Sequence, residues 1–203
     1  MPETVGLRAR KKLRTRQTIE RVALDLFERH GFTATTIEEI AAAADIAPRT
    51  FFHYFPSKED VVTADYTSRL QQIVAALQTG PRDQTPWAAL RAAFLDAAID
   101  YETERDHMLR RFRIIQATPS VAAHNLQVQA RWEDAVAGAV AEWLESDGTG
   151  DIRPRLVAGA ALAALRASLR LWLAGDGVSR LPDHLSEAFE LLEDGLGSIA
   201  LQP

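Results

Sequence analysis

Apolar residues recur at three- and four-residue intervals through almost the whole chain, and no stretch alternates apolar with polar residues as a half-buried strand would. That periodicity confines the chain to an all-α fold. Ile19, Val22, Ala23, Leu26 and Phe27 form one stripe that stops at His30-Gly31, which predicts a first helix over 10–30 closed by a left-handed glycine cap. Thr36 stands three residues before Glu39, the spacing of a capping box, and opens a second helix over 37–44. Pro48 suits the first turn of a short third helix over 48–55, because its missing N–H would be unpaired there in any case. Ser57, Glu59 and Asp60 cap and charge-match a fourth helix running unbroken to Thr79. Further helices are expected over 86–105, 106–116, 119–145, 154–174 and 183–199, giving about nine in all.

The net charge of −5 argues against nucleic acid, but the charge is unevenly placed. Residues 1–60 carry ten Lys/Arg against nine Asp/Glu, whereas 61–203 carry thirteen against nineteen. Arg8, Arg10, Lys11, Lys12, Arg14 and Arg16 crowd one short arm, the pattern of a nucleic-acid-facing end with a solubilising remainder. The absence of cysteine excludes disulfides and thiolate metal sites and fits a reducing cytoplasm. No leader-like apolar segment precedes the arm and no uninterrupted apolar run reaches a membrane span, so a cytoplasmic protein without membrane partners is expected.

Enzymatic function finds no support. The five histidines show no H-E-x-x-H or Glu-x-x-His spacing, and the chain holds neither a glycine-rich phosphate loop nor a G-x-S-x-G elbow. No catalytic residue, metal site or cofactor is expected. A structural interaction module built on the same helices is the remaining alternative.

The second and third helices are joined by only about three residues, the arrangement of a helix-turn-helix. The run from Thr36 through Asp45-Ile46-Ala47-Pro48-Arg49-Thr50-Phe51-Phe52-His53-Tyr54-Phe55 to Lys58 and Asp60 closely resembles the DNA-binding segment of the TetR family, as do Leu26-Phe27 and His30-Gly31-Phe32 before it. Asp45 stands where that family usually has glycine, and aspartate tolerates the left-handed backbone of such a turn. The resemblance implies a DNA-binding domain over 1–56 and an effector-binding and dimerisation domain over 57–203. It implies a repressor that leaves operator double-stranded DNA when a small molecule binds.

Helix spacing turns Phe51 and Phe55 inward, and leaves Ala47, Pro48, Arg49, Thr50 and His53 exposed where base edges are within reach. Arg49 is suited to guanine O6 and N7, and Thr50 to a thymine methyl or a phosphate. Phe52, His53 and Tyr54 occupy positions at which the family contacts DNA, although His53 reads equally as a solvent-facing histidine. Lys58 resembles the family's phosphate clamp, Thr36 combines a cap with a possible phosphate bond, and Arg14 belongs to the arm that tracks the backbone.

For the effector, aromatic residues on the later helices supply candidate walls: Trp87, Phe94, Tyr101, Phe112, Trp132 and Trp172, with His124 as polar company. Such residues are also ordinary core. The run Leu109-Arg-Arg-Phe-Arg-Ile-Ile115 followed by Thr118-Pro119 resembles family members that respond to acyl-coenzyme A, with an arginine placed for coenzyme phosphates. Small residues from Ala158 to Ala167 permit close helix approach, and the resemblance implies a homodimer formed through the last two helices.

Overall fold

The computed structural model describes residues 6–146 and 150–195, without the side chains of Asp65 and Thr67. The part of the last helix expected over 196–199 lies outside the described residues. Ten helices and no strand occur among the described residues: α1 (Leu7–His30), α2 (Ile37–Ala43), α3 (Pro48–Phe51), α4 (Lys58–Val62), α5 (Ala64–Thr79), α6 (Pro86–Thr103), α7 (Arg105–Ala117), α8 (Pro119–Trp143), α9 (Arg153–Ala174) and α10 (Leu181–Asp194).

The tenth helix arises because the expected fourth helix is two. Thr63, at φ −101° and ψ 14°, ends α4 before α5 begins at Ala64. Val61, Val62 and Thr63 are consecutive β-branched residues, which lose side-chain freedom in a helix. The last carbonyls of a helix lack intrahelical donors, and at the end of α4 Arg111 supplies one: its Nη1 donates to Val61 O at 2.7 Å and Val62 O at 2.8 Å. Arg16 Nη2 donates to Ala64 O at 3.2 Å. Two guanidiniums thus stabilise a break that hydrophobic period alone does not reveal.

The chain forms two compact units. Among the described residues the first comprises 6–64 and 110–125. Ile19, Leu24, Phe27, Ile40, Phe51, Phe55 and Val61 fill its core together with Ile114 and Val121. Gly31 closes α1 at φ 84° and ψ 151°, an extended conformation open essentially to glycine rather than the expected left-handed cap, while its N–H still bonds Phe27 O at 2.9 Å. Asp45 adopts φ 53°, the left-handed turn that the sequence anticipates. Arg110 is bound within this unit, with Nε 2.7 Å from Glu28 Oε1 and Nη2 2.5 Å from Asp25 Oδ1. The hydrogen bond to Glu28, seconded by that to Asp25, holds Arg110 above the ordinary guanidinium range.

Among the described residues the second unit comprises 65–109, 126–146 and 150–195. Here α6, α9 and α10 pack together around Leu90, Phe94, Tyr101, Trp132, Leu162, Trp172, Leu185 and Phe189. Trp172 is fully buried and its Nε1 donates to Ser179 O at 2.9 Å, and Glu102 Oε1 accepts the Leu181 amide at 2.8 Å to cap α10. By length and composition α9 is apolar enough to cross a membrane. One of its faces, from Ala158 through Leu165 to Trp172, is core; the opposite face leaves Leu156 and Leu171 exposed at 64% and 60%, with Ala163 and Ala167 between them.

Candidate nucleic-acid interface and apolar cavity

Thr36 starts α2 with a complete capping box. Its Oγ1 accepts the Glu39 amide at 3.1 Å, and Glu39 Oε2 accepts the Thr36 amide at 2.8 Å. The bond from the Thr36 backbone is the main reason that Glu39 titrates below the ordinary carboxylate range. The side chain of Thr36 is therefore occupied as a cap, the first of the two roles expected for it.

From Ala47 to Pro56 the chain turns tightly, and the inner residues Phe51 and Phe55 are 0% and 1% exposed. Burial of each contributes about 1.5–3 kcal/mol, which fixes the rotation of α3 and hence which residues look outward. Ala47, Pro48, Arg49, Phe52 and His53 are exposed, while Thr50 and Tyr54 are half-buried. Phe52 is 55% exposed, supported edge-on by Phe51 with centroids 5.6 Å apart. Arg49 makes no hydrogen bond or ion pair among the described residues and keeps all its donors.

Basic residues of α1 share two grooves with this part of the chain. Arg10, Lys11, Arg14, Thr15 and Thr18 border a groove of about 710 Å³ with Ala44, Asp45 and Ile46 of the turn. Arg8, Lys11, Lys12 and Thr15 border another of about 500 Å³ with His53 and Tyr54. The first turn of α1 carries no acidic residue. Cations at a helix N-terminus oppose the helix dipole, so this arrangement has an electrostatic cost that a polyanion would relieve.

Lys58, expected to clamp phosphate, is engaged internally. Its Nζ donates to Phe32 O at 3.0 Å and Thr35 O at 2.6 Å and lies 4.7 Å from the centre of the Phe32 ring. The carbonyls of the loop before α2 converge on this ammonium, which pins the loop and retains one N–H for a ligand. Lys58→Met is accordingly expected to lower stability by about 1–3 kcal/mol, measured as a lower denaturant midpoint; a purely phosphate-binding lysine would leave the midpoint unchanged.

The expected effector residues separate into three groups. Tyr101 and Trp132 line one cavity in the second unit, together with Tyr66, Val128, Gln129, Leu162, Leu165, Arg166 and Leu169. Phe94 and Trp172 are fully buried core, and Trp87 packs on Phe189 with ring centroids 4.8 Å apart. Phe112 and His124 belong to the first unit, where His124 Nε2 lies 3.2 Å from Asp60 Oδ1. Aromatic composition does not separate a cavity wall from a core, and the sequence reading passed over Tyr66, Gln129 and Arg166. The signal available for Arg166 was one cation amid Leu162, Leu165 and Leu169 on an otherwise apolar helix face.

The cavity measures about 60 Å³, room for about two waters at the liquid's ~30 Å³ each. Behind it, Arg69 is 5% exposed, stacks 4.0 Å from the centre of the Tyr101 ring and donates from Nη2 to Glu104 Oε2 at 2.7 Å.

Comparison with known proteins agrees with this geometry. Residues 19–64 match the family profile described as bacterial regulatory proteins, tetR family, and residues 84–197 match the MftR C-terminal domain. The mycofactocin biosynthesis transcriptional regulator MftR of Mycobacterium tuberculosis is 34% identical, over 92% of this chain and 93% of that protein. The HTH-type transcriptional regulator TcmR of Streptomyces glaucescens is 34% identical, over 96% of this chain and 88% of its own. Among solved structures, the repressor FadR of Thermus thermophilus in complex with lauroyl-CoA aligns with a TM-score of 0.55 at 25% identity, covering 93% of this chain and 97% of that one. SmeT of Stenotrophomonas maltophilia, solved with triclosan, shares the fold with a TM-score of 0.62 at 20% identity, covering 88% and 89%.

Proposed function

This chain belongs to the TetR family of bacterial regulatory proteins, and from that premise we propose that it is a homodimeric repressor whose grip on operator DNA is released by an amphipathic effector. The observation that carries the DNA reading is that free Arg49 and exposed Phe52 and His53 lie on one short segment, and that grooves at the turn before it and at His53 and Tyr54 are edged by Arg8, Arg10, Lys11, Lys12 and Arg14. Base contacts from Arg49 and Thr50 specify, and the arm, Tyr54 and the remaining donor of Lys58 position. Relief of the unfavourable charge at the start of α1 adds to the attraction.

The exposed face of α9 supports pairing of two copies through α9 and α10. Leu156, Ala163, Ala167 and Leu171 follow helical spacing, and Ala163 and Ala167 let a second helix approach closely. A two-fold dimer places two recognition helices one DNA turn apart, about 34–36 Å.

Acyl-coenzyme A is the effector class we favour, since the FadR relative is solved with lauroyl-CoA. Established small-molecule sites measure about 300–1,000 Å³, so the 60 Å³ cavity must open to admit an acyl chain. That requirement couples binding to conformation: the effector prefers the opened state, and operator DNA the closed one.

One anisotropy series tests the proposal. With a duplex from the chain's own upstream region, log affinity is expected to fall against log salt with a slope of about −5 to −8. Lauroyl-CoA is expected to weaken operator binding by about 5- to 150-fold, with operator weakening lauroyl-CoA by the same factor. Salt-insensitive binding, or lauroyl-CoA binding equally with and without operator, refutes it.

A further inference from the structure

We infer that Arg166 is the anion-recognising residue of the cavity, so that the effector is an amphipathic anion whose carboxylate or phosphate meets this guanidinium while its apolar body lies among Tyr66, Tyr101 and Trp132. The inference rests on the effector reading above and narrows it to a charge and a residue.

Of the three arginines in the run 109–115, Arg110 is committed to Asp25 and Glu28, and Arg111 to Val61 and Val62. On α9 itself, Arg153 pairs with Asp151 at 2.8 Å and Arg155 with Asp134 at 3.0 Å. Arg69, behind Tyr101, is paired with Glu104. Arg166 differs from all of these. It is half-buried, it is the one charged residue in the cavity wall, and it makes no hydrogen bond or ion pair among the described residues. Its place one turn from Leu162 and Leu169 puts it on the helix face that forms the wall.

With its stem along an apolar wall and its guanidinium donors not engaged by the protein, Arg166 is suited to a bidentate oxyanion, the group that matches the planar fork best. Gln129 lines the same wall, also without a hydrogen bond among the described residues, and offers an amide donor beside the guanidinium. The walls are otherwise apolar and aromatic, which suits the body of an amphiphile.

The test uses the full chain and three probes that share a twelve-carbon tail: laurate, lauroyl-CoA and dodecanol. Binding is read from tryptophan fluorescence, to which Trp132 in the wall contributes, and in parallel from release of operator DNA. Arg166→Gln is expected to weaken the anionic probes by about 10- to 150-fold and dodecanol by less than about 2-fold. Arg166→Lys is expected to recover part of the loss, since it restores the charge without the bidentate geometry. Loss for laurate alone identifies a carboxylate head, and loss for lauroyl-CoA alone a coenzyme phosphate; either supports the inference. Equal loss for all three probes, or no loss for either anion, overturns it while leaving the effector site standing. Failure of every probe to bind the unaltered chain overturns both together.

Discussion

Replacing Arg111 by methionine is expected to lower the melting temperature by roughly 6–20 °C, at about 2–4 °C per kcal/mol for a chain of this size. Arg111 is 4% exposed. Its Nη1 binds the carbonyls of Val61 and Val62, and its Nη2 lies 3.5 Å from Glu20 Oε2. Methionine is of similar length and fills much of the volume, so the loss is electrostatic rather than a cavity. Two buried carbonyls at the end of α4 would be left without donors, each costing about 1–3 kcal/mol, and Glu20 would keep Arg16 as its cation at 3.0 Å. Removing one partner from such a buried arrangement costs about 3–5 kcal/mol. Thermal unfolding followed by circular dichroism at fixed protein concentration checks this, and a fall of less than about 3 °C would show that water or backbone rearrangement takes over the role of Arg111.

Arg49→Ala is expected to weaken operator binding by about 1–3 kcal/mol per half-site. In a two-fold complex both half-sites lose the contact, so affinity should fall roughly 30- to 20,000-fold. The side chain is exposed and carries no internal bond, so melting temperature should stay within about 1 °C. The variant should also lose preference at one base pair per half-site, because a bidentate arginine discriminates guanine from other bases. Binding-site selection on randomised duplexes measures this directly. An unchanged base preference would move the recognition role to another residue, with His53 and Phe52 the exposed neighbours to examine.

Much of the first unit was legible because its determinants are local. The Thr36-Glu39 capping box, the inward pair Phe51 and Phe55 and the left-handed Asp45 each follow from residues a few positions apart. The break at Thr63 was missed because the apolar period runs through it, and the residue that stabilises it, Arg111, lies 49 positions beyond Val62, whose carbonyl it binds. The internal anchoring of Lys58 was not legible for a related reason: the carbonyls that engage it, at Phe32 and Thr35, are brought round by the loop before α2. In the second unit, Phe94 and Trp172 are indistinguishable by type from Tyr101 and Trp132. Which of them borders empty space depends on how helices far apart in the chain pack, and no helical period encodes that.

The make-up of the first unit bears on how such a protein can change its regulatory partnerships over evolutionary time. Ile114 and Val121, from the segment 110–125, complete the core beneath the helix-turn-helix, and Arg111 from the same segment closes α4. A recombination event that joined residues 1–64 of this chain to the remainder of a distant relative would inherit the reading surface without its foundation. With the roles proposed above for Arg49 and the cavity, new pairings of operator and effector are more accessible through point changes there than through exchange at a single seam, and a transplant meant to succeed must carry the two segments together.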